Sequence, residues 1–166
     1  MRQELIITPL FNDSTEQILN LILPIQQLEF NVSLTREAQP DLLAIEACYH
    51  QAGGGFWGAR ADGELVGTIA LLAIGHQAGA VRKMFVKKEY RGKNLGIAQL
   101  LLDTLLADCR AKGITDVYLS TVDVLKAAQR FYERNNFERQ RSEQMPPYFP
   151  RMAVDNVYYH LPLQAY

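Results

Sequence analysis

Arg91-Gly92-Lys93-Asn94-Leu95-Gly96 carries the clearest chemical signal in the chain. It follows an apolar run, Val81 to Val86, and leads directly into Ile97-Ala98-Gln99-Leu100-Leu101-Leu102. It therefore reads as a loop between a strand and a helix. A helix start presents unpaired backbone N–H groups and the positive end of the helix dipole. Glycine lets the backbone approach a ligand because no Cβ intervenes. Arg91, Lys93, Lys87 and Lys88 add positive charge at the same mouth. The combination is an anion site, and phosphate or pyrophosphate is the anion it suits.

The spacing narrows the class. A P-loop needs Gly-x-x-x-x-Gly-Lys-Ser/Thr and a dinucleotide fingerprint needs Gly-x-Gly-x-x-Gly; neither occurs here. The stretch instead resembles motif A of the GNAT family of N-acetyltransferases, Arg/Gln-x-x-Gly-x-Gly/Ala, which wraps the pyrophosphate of acetyl-coenzyme A. Asn94 stands where the first motif glycine is usual, and Asn tolerates positive φ better than most residues. A second stretch, Ala127-Ala128-Gln129-Arg130-Phe131-Tyr132-Glu133-Arg134-Asn135-Asn136-Phe137, resembles motif B of the same family, Ala-x-x-Phe-Tyr-x-x-x-Gly-Phe. There Asn136 replaces the glycine expected after a helix end.

The elements that must position these motifs follow the chain. Leu5 to Leu10 reads as a first strand, and Ile18, Leu21, Ile22, Ile25 and Leu28 as the apolar face of a helix that Pro24 should kink or shorten. A short helix is expected from Asp41 through Tyr49, and Gly53-Gly54-Gly55 reads as a flexible connection. Asp62-Gly63 between apolar runs signals a hairpin, and Gly75 to Gly79 turns the chain into Val81–Val86. A helix closed by Gly113 crosses over to the strand Asp116 to Thr121; a helix from Asp123 to Asn135 follows, then two strands around a Pro-rich loop. This order is that of the GNAT fold. The resemblance covers at least Phe56 to Leu163 and implies an α/β (α+β) domain spanning residues 1–166. Its central sheet is twisted, mixed and mostly antiparallel, flanked by helices, with Val81–Val86 and Asp116–Thr121 running parallel and splaying apart.

Composition sets the outer bounds. A chain of 166 residues with 48% hydrophobic and 21% charged residues suits a globular domain. A net charge of −1 gives no overall attraction to nucleic acid or anionic membrane. Cys48 and Cys109 lack metal-ligand neighbours, so no metal is expected and the thiols read as reduced. No apolar run reaches membrane-spanning length, which points to a soluble, cytoplasmic protein.

The resemblance implies an acetyl-coenzyme A-dependent N-acetyltransferase. The cosubstrate would lie on Met84, Phe85 and Val86, on Arg91, Gly92, Lys93, Asn94, Leu95, Gly96 and Ile97, and on Ser120, Thr121, Ala128 and Phe131. Backbone N–H groups of Met84, Phe85 and Val86 would polarise the thioester carbonyl. Tyr132 matches the motif B tyrosine that donates a proton to the departing thiolate. Residues 80–86 contain no carboxylate, which leaves Glu46 and Glu29 as candidates for a base or water relay. Acceptor recognition, for a small-molecule or peptide amine, is expected at Tyr148, Phe149 and Arg151; the same aromatics would equally suit a homodimer contact. Two other readings stay open at this stage: a catalytically silent acyl-coenzyme A sensor or interaction module on the same fold, and an unrelated nucleotide-binding domain.

Overall fold

The computed structural model describes residues 4–92 and 95–163. Its strands are β1 (Leu5–Pro9), β2 (Gly55–Ala61), β3 (Glu64–Ala73), β4 (Ala78–Val86), β5 (Asp116–Thr121), β6 (Glu138–Gln140) and β7 (Val157–Pro162). They form one mixed sheet in the order β1-β2-β3-β4-β5-β7-β6. Helices α1 (Thr15–Pro24), α2 (Ile97–Ala111) and α3 (Lys126–Arg134) flank it.

Turn chemistry fixes the antiparallel half. Asp62 and Gly63 both take positive φ, 49° and 87°, as a two-residue type I′ hairpin requires. His76 and Gln77 repeat the device at φ 56° and 57°, and the Ala78 N–H closes the turn on the Gly75 carbonyl at 2.9 Å. The parallel pairing is short. It joins Ala78, Gly79 and Ala80 to Asp116, Val117 and Tyr118, and the register ends there. Strand β5 continues to Thr121 against β7, where Thr121 faces Val157. The parallel strands expected from the order of elements are thus present, and their pairing stops before either strand does.

The chain divides into two compact units, one built from the segments up to Leu72 and Arg82–Ala107, the other from Ala73–Val81 and the chain from Asp108 onward. In the first unit Leu10, Ile18, Ile22, Leu42, Ile45, Tyr49 and Phe56 make the centre of the core. Pro24 ends α1 because it has no N–H to give the preceding turn. The chain then winds through a wider π-helical turn, Ile25–Glu29, closed by the Phe30 N–H on the Ile25 carbonyl at 3.0 Å. The helix expected from Asp41 to Tyr49 forms as two separate turns, Pro40–Leu43 and Glu46–His50. Ala44, at φ −141° and ψ 51°, breaks the helix between them.

In the second unit Val117, Leu119, Val157, Tyr159 and Leu161 are buried on the paired strands. Helix α3 ends in a Schellman motif. The Phe137 N–H reaches the Tyr132 carbonyl at 3.1 Å and the Asn136 N–H the Glu133 carbonyl at 3.2 Å, with Asn136 at φ 70°. The accompanying apolar contact is Tyr132 against Phe137, ring centroids 5.6 Å apart. The Phe-Tyr-x-x-x-Asn-Phe spacing is therefore the spacing of a helix cap.

Candidate active site

The motif loop enters α2 as its glycines require. Gly92 has φ 119° and Gly96 φ 64°, conformations that a side chain opposes. The Gly96 N–H bonds the Gly92 carbonyl at 3.3 Å, and Leu100 begins the helical ladder by bonding the Gly96 carbonyl at 3.0 Å. Leu95 is exposed and Ile97 buried. Lys93 and Asn94 lie outside the described residues. A Cβ on Gly92 would meet nothing within 4 Å, so the position demands a backbone conformation while leaving the space above it open.

The charges around this loop are partly spent. The Arg91 guanidinium forks onto Glu29, with Nη2 on Oε2 at 2.8 Å and Nη1 on Oε1, while its Nε donates to the Val86 carbonyl at 2.7 Å. The hydrogen bond from Arg91 holds the Glu29 carboxyl below its ordinary range. Lys87 pairs with Glu64 at 3.2 Å. Arg91 and Glu29, predicted for cosubstrate and for base, are thus brought together with each other. A groove of about 670 Å³ between α1 and the Gly63–Leu65 hairpin is also lined by Glu29, Glu64, Glu89, Lys87 and Lys88, three carboxylates against two ammoniums.

Met84, Phe85 and Val86 form the end of β4 and are half-buried, with Phe85 packed on the core of the first unit. Immediately before them Lys83 has φ 54° in the middle of a strand, held by the Thr68 hydroxyl donating to its carbonyl at 2.7 Å. A lysine with positive φ stores strain that its surroundings must hold. Its side chain enters a buried polar network. Nζ donates to Gln39 Oε1 at 2.7 Å and lies 3.6 Å from Asp41 Oδ2, which accepts the Tyr49 hydroxyl at 2.6 Å. Gln39 in turn pairs with Gln26 through both amides, at 2.9 and 3.2 Å. No local sequence pattern marks this cluster. The run Val81-Arg82-Lys83-Met84 reads as a strand with a solvated lysine, and the partners are far away in the chain.

Tyr132 is buried at 6% exposure, on the α3 turn fixed by the Schellman motif. Its ring packs on Phe131, Phe137 and Tyr159. Among the described residues its hydroxyl has no hydrogen-bond partner. Burial, with the Asp155 carboxylate as a smaller contribution, pushes its pKa up, so the phenol keeps its proton at neutral pH. Ser120, half-buried on β5, donates to Asp155 Oδ2 at 2.7 Å, and the Thr121 carbonyl accepts the Asn156 N–H at 3.0 Å. Ala128 and Phe131 are half-buried on α3.

The remaining candidates have structural partners. Glu46 Oε2 accepts the Asn12 N–H at 3.1 Å while its own N–H donates to Asn12 Oδ1 at 3.0 Å, a reciprocal clasp. Phe149 is buried at 5% exposure among Tyr118 and Tyr158, so it offers no aromatic surface. Tyr148 stacks on His76, centroids 3.9 Å apart. Arg151 donates to the hydroxyl and the carbonyl of Ser142, each at 2.7 Å, and lies over the Tyr158 ring. Among the described residues there is no cluster of His, Cys, Asp and Glu that could hold a metal ion, and no helix long and apolar enough to cross a membrane.

Comparison with known proteins gives a consistent result. The model of the acetyltransferase (GNAT) family matches residues 17–137. "Probable N-acetyltransferase camello" of Xenopus tropicalis is 31% identical over 126 residues, covering 71% of this chain and 54% of that protein. A GNAT-family acetyltransferase from Staphylococcus aureus superposes with a TM-score of 0.92 at 38% identity, over 97% of this chain and all of the other. PaiA N-acetyltransferase from Thermoplasma acidophilum, solved in complex with coenzyme A, shares the fold with a TM-score of 0.76 at 19% identity, over 96% of this chain and 99% of its own. The chain spans about half the length of the curated relatives it matches.

Proposed function

Because the chain belongs to the acetyltransferase (GNAT) family, we propose that it transfers an acetyl group from acetyl-coenzyme A directly to a primary amine. The observation that carries the proposal is the loop into α2. Gly92 and Gly96, both at positive φ, bring bare backbone to the start of a helix of 15 residues. Loop N–H groups and the helix dipole suit a pyrophosphate there without help from the Arg91 charge, which Glu29 offsets.

In this reading the backbone N–H groups of Met84 to Val86 polarise the thioester carbonyl and stabilise charge on its oxygen. The amine nitrogen attacks the carbonyl carbon, a C–N bond forms and the C–S bond breaks. Tyr132 gives its proton to the departing thiolate; its raised pKa, which keeps the phenol protonated, supports that role. The amine's own proton leaves through water, since Glu29 and Glu46 each have structural partners. Tyr148, half-buried and stacked on His76, and Arg151, exposed although bonded to Ser142, are the candidate loop side chains that an acceptor would meet. The two free thiols, Cys48 and Cys109, agree with a reducing, cytoplasmic setting.

The test combines binding and turnover. Titration calorimetry with acetyl-coenzyme A should give saturable binding, and Gly96→Val should weaken it at least about tenfold, because a β-branched residue resists φ 64°. Thiol release from acetyl-coenzyme A should rise above background with at least one amine of a broad panel. Equal affinity in a folded Gly96→Val protein would remove the loop assignment, and binding without turnover on any amine would remove the enzyme.

A further inference from the structure

In a regular strand, successive backbone N–H groups point alternately to the two sides. One left-handed residue breaks that alternation and bends the strand, as in a β-bulge, where glycine is the usual choice. In β4 the left-handed residue is Lys83, at φ 54°, immediately ahead of Met84 to Val86. Its Cβ opposes that conformation, so contacts must hold it there. Glycine would enter the same region freely, and would leave it as freely.

Lys83 is held at both its backbone and its side chain. Its carbonyl accepts the hydroxyl of Thr68, a fully buried residue of β3, at 2.7 Å. Nζ donates to Gln39 Oε1 at 2.7 Å and pairs with Asp41 Oδ2 at 3.6 Å. Those anchors are themselves fixed. The buried amides of Gln39 and Gln26 bond each other, and the buried Tyr49 donates its hydroxyl to Asp41 Oδ2 at 2.6 Å. Four residues beyond Lys83, the Lys87 N–H bonds the Val66 carbonyl at 2.8 Å. Met84 to Val86 therefore lie between two attachments to β3. An ion pair this far from solvent seldom adds stability over apolar packing, and its best-attested use is to specify one arrangement.

We propose that Lys83 is a positioning residue for acetyl transfer: its side chain, anchored on Gln39 and Asp41, fixes the bend that aims the Met84 to Val86 N–H groups at the thioester carbonyl. The inference rests on the acetyl-transfer reading above. Aim matters most in the transition state, when the carbonyl oxygen takes on charge. Loss of the anchor should therefore fall on kcat and spare coenzyme A affinity, which the loop at Gly92 and Gly96 supplies.

The experiment uses the full chain and acetyl-coenzyme A isotope-labelled at the thioester carbonyl, read by difference infrared spectroscopy without an acceptor. Donors aimed at the oxygen lower the carbonyl stretch on binding, and the parent protein should show that shift. Lys83→Met keeps the apolar stem and removes the anchor. It should lose about half of the shift or more, and kcat on any accepted amine should fall roughly 10- to 100-fold. The Kd for coenzyme A by calorimetry should stay within about twofold. Lys83→Gly permits φ 54° without an anchor, and it too should lose the shift. A full shift in the glycine variant overturns the proposal, because the bend would then need no side chain. Asp41→Asn, at a half-buried site, weakens the anchor at constant shape and carries the test if Lys83→Met unfolds. It should move both readouts the same way, with kcat down about threefold or more. Unchanged shift and kcat in a folded Lys83→Met or Asp41→Asn protein overturns the proposal, as does weaker coenzyme A binding at unchanged kcat. A parent protein that binds acetyl-coenzyme A with its carbonyl stretch unmoved removes the backbone donors, and this inference with them. Failure to bind acetyl-coenzyme A at all takes down the acetyl-transfer reading itself.

Discussion

Tyr132 joins a backbone that caps a helix to the hydroxyl we propose as the acid. Its carbonyl accepts the Phe137 N–H that closes α3, so the backbone of the proposed acid is locked by a helix cap. The hydroxyl, raised in pKa by burial, keeps its proton across the neutral range. Tyr132→Phe removes the hydroxyl and leaves both the cap and the ring contacts. We expect kcat to fall by roughly 10- to 100-fold, the modest end of acid catalysis, with acetyl-coenzyme A affinity unchanged. A parent rate on a substrate whose chemistry is limiting would leave Tyr132 a packing residue. Glu29 gives a pH prediction of definite sign. Its folded pKa lies below the ordinary 4.5, so the Arg91 pair adds stability that is complete above that value and is lost as pH falls through the folded pKa. Glu29→Gln should destabilise by about 1 kcal/mol at most at pH 7, given the partial exposure of both partners, and the difference from the parent should vanish in acid. A difference that persists in acid would point to lost packing. Gly92, Gly96 and Tyr132 were legible in the sequence because glycine and the Phe-Tyr spacing carry their own conformational meaning. The engagement of Arg91 with a glutamate 62 positions away was not, since no local pattern encodes such a meeting.

At the scale of elements, ends and turns were easier to read than strand interiors. Gly113 ends α2 as expected: its N–H bonds the Arg110 carbonyl and the Ile114 N–H the Cys109 carbonyl, a second Schellman motif. Asn136 does the same for α3 at φ 70°. Asn136→Ala should cost about 1 kcal/mol, because a Cβ without the local bonding of Asn opposes the left-handed region. Asn136→Gly should match or exceed the parent. Denaturant midpoints at constant m-value check both, and equal midpoints for Ala and Gly would show that the cap tolerates the strain. The left-handed lysine inside β4 left no trace in the sequence, because its conformation is imposed by Thr68, Gln39 and Asp41, all distant in the chain. Phe149 misled for a related reason. A Pro-rich loop reads as surface, yet Tyr118 and Tyr158 draw this ring inward. Close packing of β2 is similarly visible only in three dimensions. A Cβ on Gly58 would lie 2.6 Å from Leu65 Cδ1 and 2.7 Å from Leu10 Cδ1. Gly58→Ala should therefore destabilise by about 1–3 kcal/mol through overpacking, read as a lower melting temperature with the fold retained by circular dichroism.

For the molecule as a whole, a net charge of −1 supplies no long-range attraction for a polyanionic cosubstrate, so binding must come from local geometry. That makes affinity and stability report on the same few backbone positions. A ligand that binds only the folded chain stabilises it by RT ln(1 + [L]/Kd), about 2.7 kcal/mol when present at 100 times its Kd. For a chain of this size each kcal/mol moves the melting temperature by about 2–4 °C, so coenzyme A should raise it by about 5–11 °C. At the same coenzyme A concentration a Gly96→Val protein with tenfold weaker binding should gain about 1.4 kcal/mol, roughly half the shift. ATP and NAD at equal concentration should shift neither protein. They share the pyrophosphate but not the pantetheine arm, which we propose lies along Met84 to Val86. A shift of equal size with ATP would make the loop a general pyrophosphate site and detach it from acyl transfer. A full coenzyme A shift in Gly96→Val would place the ligand elsewhere on the protein.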